Sequence, residues 1–351
     1  MRIESALYWI LWNHPAGNNE IWPKWSFFGI YDGHGGAKCA EFLRDYLHQF
    51  VIRDPHFPKH PKQAIINGFE QAEQKFLEIC QDDDGIIDKS GSWAIVILIV
   101  GPHWYVANVG DSRALLSSEN GSKIYSLSRD HKPSDESEKV RIIKSGGQIY
   151  HRTAITPTNS SKPEIVVGPL RVLPGRLSVC RTFGDPEAKL EKYGGNPDVI
   201  IATPEIKSFE IKPDHDFIIL GCDGIFDKLT NQDTIKWVWN SVEDEMNINQ
   251  VHTQWALAVE YIIKNSLLKK TLDNVTVVMI SFEGFERWLK SSELGSCKPT
   301  AHSVSPKRDK GRIMRQSTNS EMENVPPSQR ATPKKSYGSS RSSIGALAVM
   351  N

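Results

Sequence analysis

The sequence predicts an α+β fold in which paired antiparallel sheets lie between helical outer layers. Two observations carry this reading. Apolar runs of strand length come in groups, with amphipathic helices before and after them, which is not the alternation of a βαβ repeat. Two neighbouring runs are also joined by Gly101-Pro102-His103, a link of hairpin length.

Taken in order, Ala6-Leu7-Tyr8-Trp9-Ile10-Leu11-Trp12 is apolar over about seven residues, too short to span a membrane. It lacks the basic start and small-residue cleavage site of a signal peptide, so it reads as a strand. Ser26-Phe27-Phe28-Gly29-Ile30-Tyr31 is a buried strand running into the turn Asp32-Gly33. A helix over 37–52 places Cys39, Phe42, Leu43, Tyr46, Leu47 and Phe50 at helical spacing. A second helix follows Pro61, with Ile65, Phe69, Ala72, Phe76 and Ile79 on one face. Strands are expected at 94–100, 104–109 and 114–117, then a helix over 134–145 ended by Gly146-Gly147. The stretch 151–177, with four prolines, reads as an irregular excursion. Strands at 217–222 and 275–282 bracket helices near 231–242 and 250–269. From about residue 285, Ser, Thr, Pro, Lys and Arg dominate and no periodicity survives. Residues 1–285 are therefore expected to be one folded domain, and 286–351 a disordered basic tail.

The 351 residues balance 42 Lys/Arg against 42 Asp/Glu, so no nucleic-acid partner is expected from charge, and no membrane span is present to suggest a lipid one. The balance hides an asymmetry: from Ser291 onward ten basic residues face four acidic ones, net +6, which leaves residues 1–290 at −6. An acidic body with a basic appendage suits a cation-binding domain. The five cysteines, Cys39, Cys80, Cys180, Cys222 and Cys297, have no CxxC pairing or zinc spacing and fit a reducing compartment, the cytoplasm or nucleus. Cys180 and Cys222, inside apolar runs, read as core thiols. A monomer is expected.

Three apolar runs end in an aspartate: Tyr31-Asp32-Gly33, Val109-Gly110-Asp111 and Gly221-Cys222-Asp223-Gly224. A fourth carboxylate, Asp273, immediately precedes the last strand. Any single Asp-Gly is ordinary turn chemistry. Four carboxylates at the ends of buried strands, none with an arginine beside it in sequence, would repel one another unless hard cations such as Mg²⁺ or Mn²⁺ neutralised them. The acid run Asp82-Asp83-Asp84-Gly85 lacks the glycine at the sixth position of a calcium loop and reads as a solvated turn.

The block Phe28-Gly29-Ile30-Tyr31-Asp32-Gly33-His34-Gly35-Gly36 resembles the signature of the protein phosphatase type 2C family, the metal-dependent PPM phosphatases. So do Asn108-Val109-Gly110-Asp111-Ser112-Arg113-Ala114, Asp130-His131-Lys132-Pro133, the run from Leu177 through Arg181-Thr182-Phe183-Gly184-Asp185, Cys222-Asp223-Gly224-Ile225-Phe226-Asp227 and Asp273-Asn274-Val275-Thr276. These blocks occur in the family's order over roughly residues 22–283. The resemblance implies a four-layer α/β/β/α sandwich and hydrolysis of phosphoserine and phosphothreonine in phosphoprotein substrates by a hydroxide bridging two Mg²⁺ or Mn²⁺ ions. It implies that Asp32 bridges the ions, that the Gly33 carbonyl joins the second, and that Asp223 and Asp273 complete the first. Asp111 and Asp227 resemble ligands of a third, weaker ion, and His34 resembles the general acid for the departing oxygen. Two cations about 3.5–4 Å apart can activate water and clamp both oxygens of an in-line displacement. A serine alkoxide leaves poorly, so an acid of near-neutral pKa is useful.

The chain departs from the family in two places. The family opens with an arginine, which holds the phosphate, followed by Met-Glu-Asp. Here Glu4, 28 residues before Asp32, stands where the metal glutamate is expected, while Arg2 is out of register by two and the arginine's place falls before Met1. If the chain is complete as written, impaired activity or a phosphoprotein-binding pseudophosphatase follows, because arginine's bidentate fork is hard to replace. Trp93, in Ser90-Gly91-Ser92-Trp93, replaces a small residue and reads as a packing variation. Arg181 and Asp185 read as a structural ion pair.

Overall fold

The computed structural model describes residues 5–12, 23–81, 87–156, 164–244, 251–293 and 345–350. The chain opens with an antiparallel pair, β1 (Ser5–Trp12) and β2 (Trp25–His34), in which Ser5 lies opposite Asp32. Helices α1 (Lys38–Arg53) and α2 (Pro61–Ile79) follow, then the hairpin of β3 (Gly91–Val100) and β4 (His103–Val109). Next come β5 (Arg113–Ser118), β6 (Lys123–Ser126) and α3 (Glu136–Lys144), whose N-cap Asp135 accepts hydrogen bonds from the amides of Ser137 and Glu138. A ribbon of β7 (Gln148–Thr156) and β8 (Glu164–Leu173) precedes the two-residue β9 (Phe183–Gly184), the short α4 (Pro186–Lys189) and β10 (Glu205–Glu210). The body finishes with β11 (His215–Gly221), α5 (Asp223–Phe226), α6 (Asn231–Asp244), α7 (Val251–Leu268), β12 (Thr276–Ser281) and α8 (Glu283–Glu293), and β13 (Gly345–Met350) lies near the chain's end.

The strands form two antiparallel sheets, ordered β1-β2-β3-β4-β10 and β13-β12-β11-β5-β6, with β9 attached to β3. Side chains alternate between the faces of a strand, and this alternation builds the layers. On β2, Phe27 and Tyr31 pack with Leu43, Leu47 and Phe69 of α1 and α2, whereas Phe28 and Ile30 face the other sheet. On β11, Ile218 and Leu220 meet Phe28 and Ile30, whereas Phe217 and Ile219 pack with Val238, Val259 and Phe285 of the opposite helical layer. The result is a four-layer α/β/β/α sandwich. A fully buried Ile or Phe contributes roughly 1.5–3 kcal/mol and an exposed ion pair about 0–1 kcal/mol, so these three apolar layers hold the sheets together.

The structure departs from the sequence reading at three points. The described parts of 151–177 are mostly regular: they hold most of β7–β8, and Pro169 lies inside β8 at a register shift, where no ladder amide is required, while 157–163 lie outside the described residues. The expected domain boundary at 285 falls inside α8, whose Phe285 and Leu289 belong to the outer core. Of the segment read as a tail, residues 345–350 pair in register with β12, Thr276 opposite Met350, and residues 294–344 lie outside the described set. Among the described residues no helix is long and apolar enough to cross a membrane.

Candidate active site

The sandwich brings one end of β2, β4, β11 and β12 together. Asp32, third from the end of β2, is 2% exposed, and His34 closes the strand. Asp111 follows β4 after Gly110, whose φ of 111° favours glycine, and a side chain there would meet the Trp93 ring. The Gly110 amide donates to His131 Nδ1 (3.1 Å), the His131 amide donates back to the Gly110 carbonyl (3.0 Å), and Asn108 Nδ2 bonds the carbonyls of Gly110 and Arg129. The Asp130-His131-Lys132-Pro133 block thereby supports the loop that carries Asp111.

Asp223 begins α5 immediately beyond β11. The neighbouring Gly224 lies so close to the 273–274 segment that a Cβ would collide with the Asn274 carbonyl oxygen. The Cys222 thiol donates to that same carbonyl and accepts from the Thr276 amide, both at 3.2 Å. These contacts bind Asp273 to the Asp223 end of the site. Cys222 also lies near Asp32 and Asp223, their ligand atoms all within 4.8 Å. Burial, with the negative charge of Asp32 next, pushes its pKa up, so the thiol stays protonated and structural.

Five aspartates thus share one electrostatic neighbourhood. Burial first, then the charges of Asp32, Asp111, Asp273 and Asp227, hold the Asp223 carboxyl far above the ordinary carboxylate range. Burial likewise raises Asp111, while Lys132 opposes the rise. One carboxylate oxygen each of Asp223 and Asp111 is buried with no hydrogen-bond partner among the described residues. Unpaired buried oxygens on mutually repelling carboxylates are the donor set that a hard divalent cation takes, so these residues fit Mg²⁺ or Mn²⁺.

No arginine stands beside these aspartates in sequence, but in the fold a lysine reaches one end of the cluster. Lys132 Nζ lies 3.4 Å from Asp111, 3.3 Å from Asp227 and 3.6 Å from Asp130. Arg113 holds Asp130 through two bonds of 2.7 and 2.8 Å. The Asp111–Asp227 pair therefore carries its own ammonium. Glu4 lies outside the described residues and directly precedes β1; Arg2 and the Asp82–Asp84 turn also lie outside them.

His34 stands beside the carboxylates. Its Nε2 makes a 2.7 Å contact with Asp185 Oδ2, and its Nδ1 is buried without a hydrogen-bond partner among the described residues. Burial disfavours the imidazolium, but Asp185, helped by Asp32 and Asp111, outweighs it and holds the His34 pKa above 6.5. Asp185 has φ 51° and ψ 56°, accepts from Thr182 Oγ1 (2.9 Å) and donates its amide to the Ser90 carbonyl (3.0 Å). Arg181 does not pair with Asp185; it binds Glu138 and the Thr203 carbonyl. Asp185 is the site residue that sequence reasoning missed, because its partner lies 151 positions away. Lys132 was visible in its block, but no local pattern gave it a role.

The model of the protein phosphatase 2C family matches residues 10–262. Probable protein phosphatase 2C 22 of Arabidopsis thaliana is 30% identical over 269 residues, 76% of this chain and 61% of that protein. Protein phosphatase 2C homolog 3 of Schizosaccharomyces pombe is 32% identical over 263 residues, covering 73% of this chain and 56% of that protein. The chain therefore spans about three fifths of the length of such relatives. Among solved structures, a Caenorhabditis elegans sex determining protein superposes with a TM-score of 0.58 at 21% identity, over 84% of this chain and 68% of that one. The serine-threonine phosphatase 2C of Toxoplasma gondii superposes with 0.54 at 19% identity, over 79% and 93%. Those two likenesses concern the fold alone, but the family match reaches from β1 into α7 and takes in the Asp32, Asp111 and Asp223 blocks. On that extent of agreement, the chain belongs to the protein phosphatase 2C family.

Proposed function

We propose that the chain hydrolyses phosphoserine and phosphothreonine esters in proteins, with two Mg²⁺ or Mn²⁺ ions at the aspartate cluster. The observation that carries the reading is the convergence of Asp32, Asp111, Asp223, Asp273 and Asp227 beside His34. Asp32, the Gly33 carbonyl, Asp223 and Asp273 would hold the two ions, and Glu4 would join them. When bound, the ions supply an activated water and neutralise the phosphoryl charge. Asp111 and Asp227 would hold a third ion weakly, because Lys132 already neutralises them.

The chain's own groups do the rest. The Asp185 carboxylate fixes His34 Nε2–H and favours the imidazolium, which keeps a proton ready at neutral pH. That proton passes to the serine or threonine oxygen as its bond to phosphorus breaks. No cysteine is required: Cys180 is buried, with its thiol pushed up to about 12 by burial. The four described cysteines are free and buried, which supports a reducing compartment.

The test is hydrolysis of a phosphoserine peptide by the full chain with millimolar Mn²⁺ or Mg²⁺, before and after chelation. Activity abolished by EDTA and restored by Mn²⁺ is expected. Activity that persists after thorough chelation would contradict the reading, and none at any Mn²⁺ concentration would favour a phosphoprotein-binding role.

A further inference from the structure

The turn that joins α1 to α2 borders an open pocket of about 630 Å³, within the roughly 300–1,000 Å³ of ordinary ligand sites. The ammonium groups of Lys59 and Lys62 and the imidazoles of His56 and His60 stand around it, with Ile66 and Tyr105 beside them. None of the described residues that line it carries a carboxylate.

The pocket is preformed. Phe57 is buried and meets the Trp25 indole edge-on, ring centroids 5.8 Å apart, which pins the turn to the start of β2. The turn's one carboxylate, Asp54, is buried beneath it and already engaged. It accepts from the His56 amide and from Asn67 Nδ2, both at 2.9 Å, and lies 2.8 Å from His56 Nδ1. These contacts hold the His56 ring and leave Nε2 as the nitrogen that a ligand can reach.

Charge and position together select the ligand. Residues 1–290 sum to −6, so two lysines without a lining acid form a local cationic patch that draws anions. The basic segment 291–351, at +6, is repelled from it. A phosphate ester, close to dianionic at neutral pH and with three acceptor oxygens, matches several N–H donors better than a carboxylate does. Asp32 stands seven residues along β2 from Trp25, about 23 Å at 3.3 Å per residue. One phosphoserine therefore cannot reach both the aspartate cluster and the pocket, whereas a segment with two phosphates can.

We propose that the pocket is a docking site for a second phosphorylated residue of the substrate protein, so that the chain favours substrates with two phosphates well separated along an extended segment. The inference rests on the phosphoprotein reading given above. It adds no chemical step: the docked phosphate is held, while the other is presented to the cluster. Two-point attachment raises the local concentration of the scissile phosphate, so the gain is in KM.

The experiment uses the full chain with Mn²⁺ and four peptides. One carries a single phosphoserine, one a second phosphoserine about 12 extended residues away, one a second only three or so residues away, and one glutamate in place of the distant phosphoserine. The long-spaced diphosphopeptide is expected to show a KM about tenfold below that of the singly phosphorylated one at equal kcat. The short-spaced and glutamate peptides should gain little. Lys59 and Lys62 are exposed, so the double variant Lys59→Glu/Lys62→Glu should fold, erase the long-spaced advantage and leave the singly phosphorylated peptide unchanged. Equal KM values for the single and long-spaced peptides, or an advantage that survives the double variant, would overturn the site. A gain that glutamate reproduces in full would overturn the phosphate assignment. Fluorescence anisotropy of the labelled long-spaced peptide in EDTA reads docking without hydrolysis, and its binding should be lost in the double variant. Lysine-dependent binding from a chain that hydrolyses no peptide at any Mn²⁺ concentration would retain the docking site and sink the phosphatase reading. Hydrolysis without lysine-dependent binding would do the reverse.

Discussion

Asp223 and Asp111 occupy equivalent places, each just past the end of a buried strand, each with an orphaned carboxylate oxygen, and each with a pKa raised first by burial. Their surroundings differ. Around Asp223 the groups that act on it are four further aspartates, and among the described residues no ion pair reaches it. Asp111 shares Lys132 with Asp227 and Asp130. An uncompensated cluster demands cations from solution, whereas a cluster with a tethered ammonium must surrender that ammonium before a second cation gains much. On the proposed reading, the same residue type in the same structural position would give a tight cation site at one end and a loose one at the other.

The largest expected effect comes from removing a carboxylate at the uncompensated end. Asp223→Ala should reduce peptide hydrolysis by on the order of 10³-fold or more and weaken Mn²⁺ binding with it. Asp227→Ala, at the compensated and exposed end, should cost far less and leave the tight sites intact. Comparable losses in the two variants would erase the distinction. Next in size is Lys132→Gln. Withdrawing an ammonium about 3.4 Å from Asp111 should tighten the weakest Mn²⁺ site by roughly tenfold, read by calorimetry; an unchanged or weaker third site would show that Lys132 is not what keeps it loose.

The smallest effect is on pH dependence. The loop carrying Lys132 is held by Arg129, which bonds Glu205 at 2.7 Å and Asp135 at 2.8 Å. Asp135, chiefly through Ser137, sits at about 2, and Glu205, chiefly through His131, also at about 2, against ordinary values of 3.8 and 4.5. Both folded-state values are depressed, so their stabilisation is present above about pH 4.5 and is lost as pH falls toward 2. Asp135→Asn should flatten the acid limb of the melting temperature between those limits. An identical acid limb would remove this network from the account.

Much of this was legible in the chain itself. Continuous apolar runs of strand length located the core strands, helical spacing located α1 and α2, and aspartates at strand ends, three after a strand and Asp273 before one, located four of the cluster's carboxylates, because each signal is local. Asp227 needed the family block. What escaped reading depends on distant partners. Asp185 acquires meaning only beside His34, and Lys132 only between Asp111 and Asp227. β7 and β8 were hidden because their prolines suggest irregularity, yet Pro169 falls where the ladder is already broken. β13 was hidden because its pairing with β12 spans a segment of basic, aperiodic composition.

The central claim is that the uncompensated aspartates hold divalent ions, and Mn²⁺ titration of the full chain tests it most directly. Calorimetry at neutral pH should show two ions bound per chain more tightly than any third, with the tighter pair disrupted in Asp223→Ala and retained in Asp227→Ala. No saturable binding, or a stoichiometry that Asp223→Ala leaves untouched, would contradict it.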